Sequence, residues 1–220
     1  MKLLDGIKNI IFDFGGVIID IEFDRVRDAF NKLGIDDFDK YFNKFRQTDI
    51  FDKFDTGRVG EDEFFSEIEK HLPAGVRRDD VISAWNAMLG GFPGEHFHYL
   101  INMKQKYNTY LLSNTNETHL RYYFSRLNEW FGIENMDVFF KKTYYSHEIH
   151  LRKPNTDVFG FVCNDAGLDM SETLFIDDSP QHVEGARKAG LRAFHMEAPY
   201  SLTDLETIDH VAADGRLIGT

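Results

Sequence analysis

The chain has 220 residues, 25 Lys+Arg against 37 Asp+Glu, a formal charge of −12 and 42% hydrophobic residues. That length buries a core without disulfides, and the single Cys, Cys163, excludes an internal disulfide or a thiolate metal cage and fits a reducing compartment. The acidic balance argues against nucleic acid or an anionic membrane surface as a partner, and no apolar run suits a membrane span or a signal peptide, so a soluble, cytoplasmic protein is expected.

In chain order, residues Ile7 to Phe14 read as a strand, because Ile7, Ile10, Ile11 and Phe12 make a nearly continuous apolar run ended by Gly15-Gly16. From Asp24 the texture changes. Val26, Ala29, Phe30 and Leu33 lie on one helical face, closed by Gly34. Phe38, Tyr41, Phe42 and Phe45 repeat at helical spacing. Phe64, Phe65 and Ile68 follow three acids that favour a helix N-terminus, and Val81, Ile82, Trp85 and Met88 mark another helix. Phe54 to Arg58 reads as a loop between helices. Residues 23–93 are therefore expected to be an all-helical insert, with bending points at Ile21–Phe23 and Gly90–Gly94.

Beyond the insert, helix and strand alternate. Helices are expected at about 95–106, 117–131, Asn155–Ala166 and Pro180–Ala189, the last with Ser179 as N-cap and Gly190 as its stop. Strands are expected at Thr109–Ser113, Phe139–Tyr145, Leu174–Ile176 and Arg192–His195, and the tail from Ala212 is expected to fray. This alternation predicts an α/β fold, a doubly wound, Rossmann-like parallel sheet built from residues 1–22 and 94–220.

In such a sheet ligands bind beyond the carboxyl ends of the strands. The predicted strands end at Asp13, at Ser113-Asn114 and at Asp177-Asp178, and Lys153-Pro154 opens the helix after the third strand. Phosphoryl transfer uses this set. Carboxylates hold Mg²⁺, one carboxylate can attack phosphorus, and a hydroxyl and an ammonium stabilise the transferring group.

The segments IFDFGGVIID, LLSNTN, RKPNTDVF and FIDDSPQHVEGARKAG resemble, in order, the four motifs of haloacid dehalogenase-like (HAD) phosphohydrolases, and the helical insert sits where that superfamily carries its helical cap. The opening DFGGVIIDIEFDRV is most similar to the branch with glucose-1-phosphate phosphatase-like members. The resemblance implies a Mg²⁺-dependent hydrolase of a small phosphorylated metabolite, such as a hexose 1-phosphate, working through an aspartyl phosphate. It implies Asp13 as nucleophile and metal ligand, and a metal contact from the Gly15 backbone carbonyl. Ser113, the Asn114 amide and Lys153 would bind the phosphate. Asp178 would bind Mg²⁺ directly, and Asp177 directly or through water. Neither nucleic acid nor membrane is an expected partner, and monomer and homodimer are both compatible with the sequence.

One position departs from the pattern. Gly15 stands where most phosphatases of the superfamily carry an acid/base Asp. A general acid is worth roughly 10²–10⁴ in rate. Three readings stay open: a substrate with a good leaving group, such as an anomeric hydroxyl; a substitute such as Asp20, Glu22 or an ordered water; or a catalytically impaired protein that binds phosphorylated ligands. In the cap, Asp55 or Arg58 is a candidate sugar contact. The pairs His96/His98 and His147/His150 lack a third zinc ligand and read as ordinary histidines, and Tyr122-Tyr123-Phe124, Trp130 and Phe131 read as sheet-facing core.

Overall fold

The structure, a computed structural model, describes residues 1–35, 38 and 49–218. The strands are β1 (Asn9–Phe12), β2 (Asn108–Ser113), β3 (Lys142–Tyr145), β4 (Thr173–Asp177) and β5 (Arg192–His195). They form one parallel sheet in the order β3-β2-β1-β4-β5. Helices α1 (Phe23–Lys32), α2 (Ile50–Asp55), α3 (Glu61–Glu69) and α4 (Arg78–Asn86) precede β2. The remainder are α5 (Gly94–Lys106), α6 (Glu117–Phe131), the single turn α7 (Ser146–Ile149), α8 (Thr156–Ala166) and α9 (Pro180–Ala189). The expected doubly wound sheet with helical elements inserted after its first strand is thus present.

Strand periodicity sorts the core into two layers. Ile10, Phe12, Leu111, Leu174 and Ile176 pack on one face, and Ile11, Tyr110, Leu112, Phe175 and Ala193 on the other. A third cluster belongs wholly to α1–α4 and their loops. There Phe54 stacks on Phe64 with ring centroids 4.1 Å apart, and Phe30, Phe65 and Val81 are buried around them. Phe38 stacks on Phe30, whereas Tyr41, Phe42 and Phe45 lie outside the described residues.

The chain enters and leaves the insert along neighbouring backbone. Ile21 and Leu89 form an antiparallel bridge, Glu22 N–H donates to the Met88 carbonyl at 2.9 Å, and Gly90 N–H donates to that of Asp20 at 2.9 Å.

Several expectations need correction. The first strand spans Asn9–Phe12 rather than Ile7–Phe14, because Ile7 N–H closes a turn onto Leu4. The third begins at Lys142, because Phe139 and Phe140 close a turn onto Met136. Phe54 and Asp55 are the last turn of α2, so the connecting loop starts at Thr56. Ser179 occupies the N-cap of α9, but its side chain makes no capping bond. Of the aromatic run on α6, Tyr123 is buried, while Trp130 and Phe131 are about 40% exposed. The tail does not fray through 218: Val211 bridges Leu217, and Arg192 Nε donates to the Ala213 carbonyl.

Candidate active site

The site is assembled by sheet register. Phe12 lies opposite Ile176, so the next residues, Asp13 just past β1 and Asp177 at the end of β4, come side by side, with Asp13 N–H donating to the Ile176 carbonyl at 2.9 Å. Alternation puts them on the same side as Ile11 and Phe175. Lys153, from the segment before α8, reaches this point fully buried, its ammonium 5.5 Å from the centre of the Phe175 ring. Lys153 Nζ donates to Asp13 Oδ1 at 2.6 Å and to Asp177 Oδ2 at 2.7 Å.

The Lys153 backbone is held as firmly as its side chain. Asn114 takes Lys153 N–H on Oδ1 at 3.0 Å, and its Nδ2 donates to the Lys153 carbonyl at 2.9 Å. This spends the Asn114 side chain on the lysine, leaving its backbone N–H as the amide available to a phosphate. Ser113 ends β2, buried, with no hydrogen-bond partner for its hydroxyl among the described residues.

The two adjacent acids are not equivalent. Asp177 is saturated: Oδ1 accepts from Ser179 N–H at 2.8 Å and lies 3.0 Å from His182 Nδ1, and Oδ2 faces Lys153. Asp178 is exposed, and no other side chain of the described residues bonds its carboxylate. A Cβ at position 16 would lie 2.0 Å from Asp178 Oδ2, and Gly16 has φ +80°, so this approach requires glycine on two counts. Sequence reasoning missed His182. It sits in the first turn of α9, where helical side chains point back towards the preceding strand end.

Charge at the site is unbalanced. Carboxylate oxygens of Asp13, Asp177 and Asp178 lie within 4.8 Å of one another, the one such ligand group among the described residues. One ammonium faces them. Burial pushes Asp13 up to about 7, against the pull of Lys153 and with Asp177 adding to the rise. For Asp177 burial acts upward too, but Lys153 and His182 outweigh it and hold the group below its ordinary range. Burial and then Asp177 push Asp178 up. Burial opposes the charge on Lys153, yet the two carboxylates carry it above its ordinary value. Three acids against one cation, all oxygen donors, fit a hard divalent ion. The Gly15 carbonyl, two residues after Asp13, accepts no hydrogen bond from the described residues.

Gly15 is also explained in space. A Cβ there would stand 2.9 Å from Ile21 Cγ1, so an apolar side chain fills the volume a side chain at position 15 would need. Neither Asp20 nor Glu22 lines the adjoining cleft, and Glu22 pairs with Arg25 at 2.7 Å.

That cleft, about 500 Å³, lies between the carboxyl end of the sheet and α1, α2 and α4. Asn114, Thr115, Arg152 and His182 line its floor, and Phe51, Asp52, Asp55, Trp85 and Met88 its roof. Roof and floor touch at several points. His119 stacks on Trp85 with centroids 5.1 Å apart, and its Nε2 meets the Trp85 carbonyl at 3.2 Å; burial pushes its pKa down to about 4. Asn116 Nδ2 donates to Asp55 Oδ1 at 3.2 Å, Thr118 Oγ1 to Glu61 Oε2 at 2.6 Å, and Glu61 N–H to Glu117 Oε1 at 3.0 Å. Of the two cap candidates, Asp55 lines the cleft, whereas Arg58 is outside it, 3.9 Å from Asp52. His96, His147 and His150 hold backbone carbonyls, of Ile18, Thr115 and Thr56, and gather no metal-ligand group.

The chain is similar in sequence and fold to known proteins. A D-ribitol-5-phosphate phosphatase of Bacteroides thetaiotaomicron is 32% identical over 193 residues, which cover 87% of this chain and 92% of that one. A HAD family enzyme of the same organism, crystallised with magnesium and inorganic phosphate, superposes with a TM-score of 0.83 at 31% identity, over 90% of this chain and 98% of that one. A HAD-like family hydrolase of Porphyromonas gingivalis gives a TM-score of 0.77 at 29% identity, over 88% and 93% of the two chains. With residues 7–190 matching the haloacid dehalogenase-like hydrolase family as a whole, the chain belongs to that family.

Proposed function

We propose that this hydrolase is a Mg²⁺-dependent phosphatase of small phosphorylated metabolites, with a sugar or sugar-alcohol monophosphate as substrate. The observation that carries the reading is the buried ammonium of Lys153 bridging Asp13 and Asp177 beside the open carboxylate of Asp178. Residues 1–22 and 94–220 form the catalytic core in this reading, and residues 23–93 its cap.

Asp13, Asp178 and the Gly15 carbonyl would hold the ion, and Asp177, with both oxygens engaged, would reach it through water. When bound, the ion keeps Asp13 ionised and offsets charge on the phosphate. The phosphate oxygens accept hydrogen bonds from the Ser113 hydroxyl, the Asn114 N–H and Lys153. A carboxylate oxygen of Asp13 attacks phosphorus as the bond to the alcohol oxygen breaks. Water then attacks the aspartyl phosphate, releasing inorganic phosphate and restoring Asp13. With Ile21 in place of an acid, the leaving oxygen takes its proton from cleft water. This favours an anomeric sugar phosphate, whose hydroxyl leaves more readily, over a sugar-alcohol phosphate, whose ordinary alcohol depends more on that proton.

The test is phosphate release from a panel of sugar, sugar-alcohol and aryl phosphates, with Mg²⁺ or with chelator. Turnover should require the metal, and Asp13→Asn should lower kcat by about 10³-fold or more. An Asp13→Asn variant with wild-type turnover removes the assignment. Gly15 also favours a second reading, a ligand-binding protein without turnover. Thermal stabilisation by sugar phosphates with no phosphate released over long incubation selects it.

A further inference from the structure

Ser146 lies outside the acid cluster, yet strand register brings it to the other half of the site. Ser113, the last residue of β2, lies opposite Tyr145, the last of β3, so Ser146 comes beside the turn that follows Ser113. Ser146 is fully buried. Its Oγ accepts from the Thr115 N–H at 2.9 Å and donates to the Thr115 carbonyl at 2.9 Å. One hydroxyl thereby holds the peptide groups on both sides of Thr115, and His147 Nδ1 donates to the same carbonyl at 3.2 Å. A residue has two soft backbone dihedrals, and holding the peptide planes on either side of it fixes both.

The clamp acts where the neighbouring side chain cannot. Asn114 spends its amide on the Lys153 backbone, so it does not brace the turn that carries its own N–H. Among the described residues the Ser146 hydroxyl bonds nothing but Thr115, so its donor serves this turn alone. A line of contacts runs from Ser146 through the main chain of Thr115 and Asn114 to the backbone of Lys153, whose ammonium bridges Asp13 and Asp177. The far end of α7 faces the helical insert instead: His150 Nδ1 donates to the Thr56 carbonyl at 2.8 Å.

We propose that Ser146 is a positioning residue for the phosphate: it touches neither ion nor substrate, and it aims the Asn114 N–H and, through the Asn114 side chain, Lys153. This rests on the phosphate contacts assigned to Asn114 and Lys153 above.

Inorganic phosphate and Mg²⁺, each titrated calorimetrically into the full chain, test it without requiring turnover. Ser146→Ala should weaken phosphate binding in the presence of Mg²⁺ by about 10-fold and leave binding of Mg²⁺ alone within about two-fold, because the acids are set by the β1–β4 ladder. With an aryl phosphate as substrate, the same variant should lower kcat/KM by about 10–100-fold. His150→Gly suits the left-handed backbone of that position, φ 58°, while cutting the bond to Thr56, and should leave phosphate affinity within about two-fold. Unchanged phosphate affinity in Ser146→Ala overturns the proposal. So does a parallel loss of phosphate and Mg²⁺ binding, the mark of a merely structural role, or an equal loss in His150→Gly. Wild-type protein that binds phosphate but releases none from any ester removes the phosphatase reading and leaves this one standing; wild-type protein that binds no phosphate with Mg²⁺ present removes both.

Discussion

The acid cluster that adjoins the cleft, its chemical floor, and the roof of the cleft are built on different principles. This floor is fixed by main-chain register: one parallel ladder sets Asp13 beside Asp177, and Lys153 locks them with bonds of 2.6 and 2.7 Å. The roof is fixed by ring packing, with Phe51 stacked on Trp85 at 5.6 Å and Trp85 on His119 at 5.1 Å. Register tolerates almost no adjustment, because a one-residue slip reverses every side chain. Packed rings tolerate volume-conserving change. Chemistry placed on the floor is therefore held rigidly, while recognition placed on the roof can be altered without disturbing it.

The strongest way to break this contrast is to remove the lock. Lys153→Ala leaves two buried carboxylates facing each other, and the loss should be about 3–5 kcal/mol, read as a lowered urea midpoint together with loss of phosphate release. Phe64→Ala empties the centre of the roof cluster at a cost of about 3–5 kcal/mol. It should melt α1–α4 while the sheet survives, so hydrogen exchange should rise in residues 50–86 and stay slow in β1 and β4. Uniform exchange across both would show that the two regions unfold as one.

Gly15→Asp probes the seam. Its Cβ meets Ile21, so the variant should lose about 1–3 kcal/mol of stability, and Ile21→Ala beside it should restore the thermal midpoint. The smallest effect is one of pH. The native pKa of His119, about 4, lies below its ordinary 6.5, so the neutral ring stabilises the fold fully above pH 6.5. That stability is lost as pH falls from 6.5 towards 4, at a limiting slope of about 1.4 kcal/mol per pH unit. His119→Gln should flatten the melting temperature over this window, and an unchanged slope would place the pH dependence elsewhere.

Much of the floor was legible in the sequence, because each component follows an apolar strand run that a reader can find: Asp13 after Ile10–Phe12, Ser113 after Tyr110–Leu112, Asp177 after Leu174–Ile176. The division of labour between Asp177 and Asp178 was not. It depends on which acid the chain turns towards Lys153 and His182, residues 24 positions before and five after Asp177. The roof was still less readable. Asp55 reads as loop from its neighbours Thr56 and Gly57 although Ile50, Phe51 and Phe54 have helical spacing, and its contact with Asn116 joins positions 61 residues apart. Such contacts arise from docking of separately packed units, which no local pattern encodes.

The bridge between Ile21 and Leu89 carries one more consequence. The segment from position 22 to position 88 departs and comes back through a doorway one hydrogen bond wide, so its replacement by a shorter or different stretch need not disturb a single rung of the sheet. If the proposed roles hold, a lineage can thus exchange the helical segment while inheriting the sheet and its acids, and a protein engineer can graft at the same doorway.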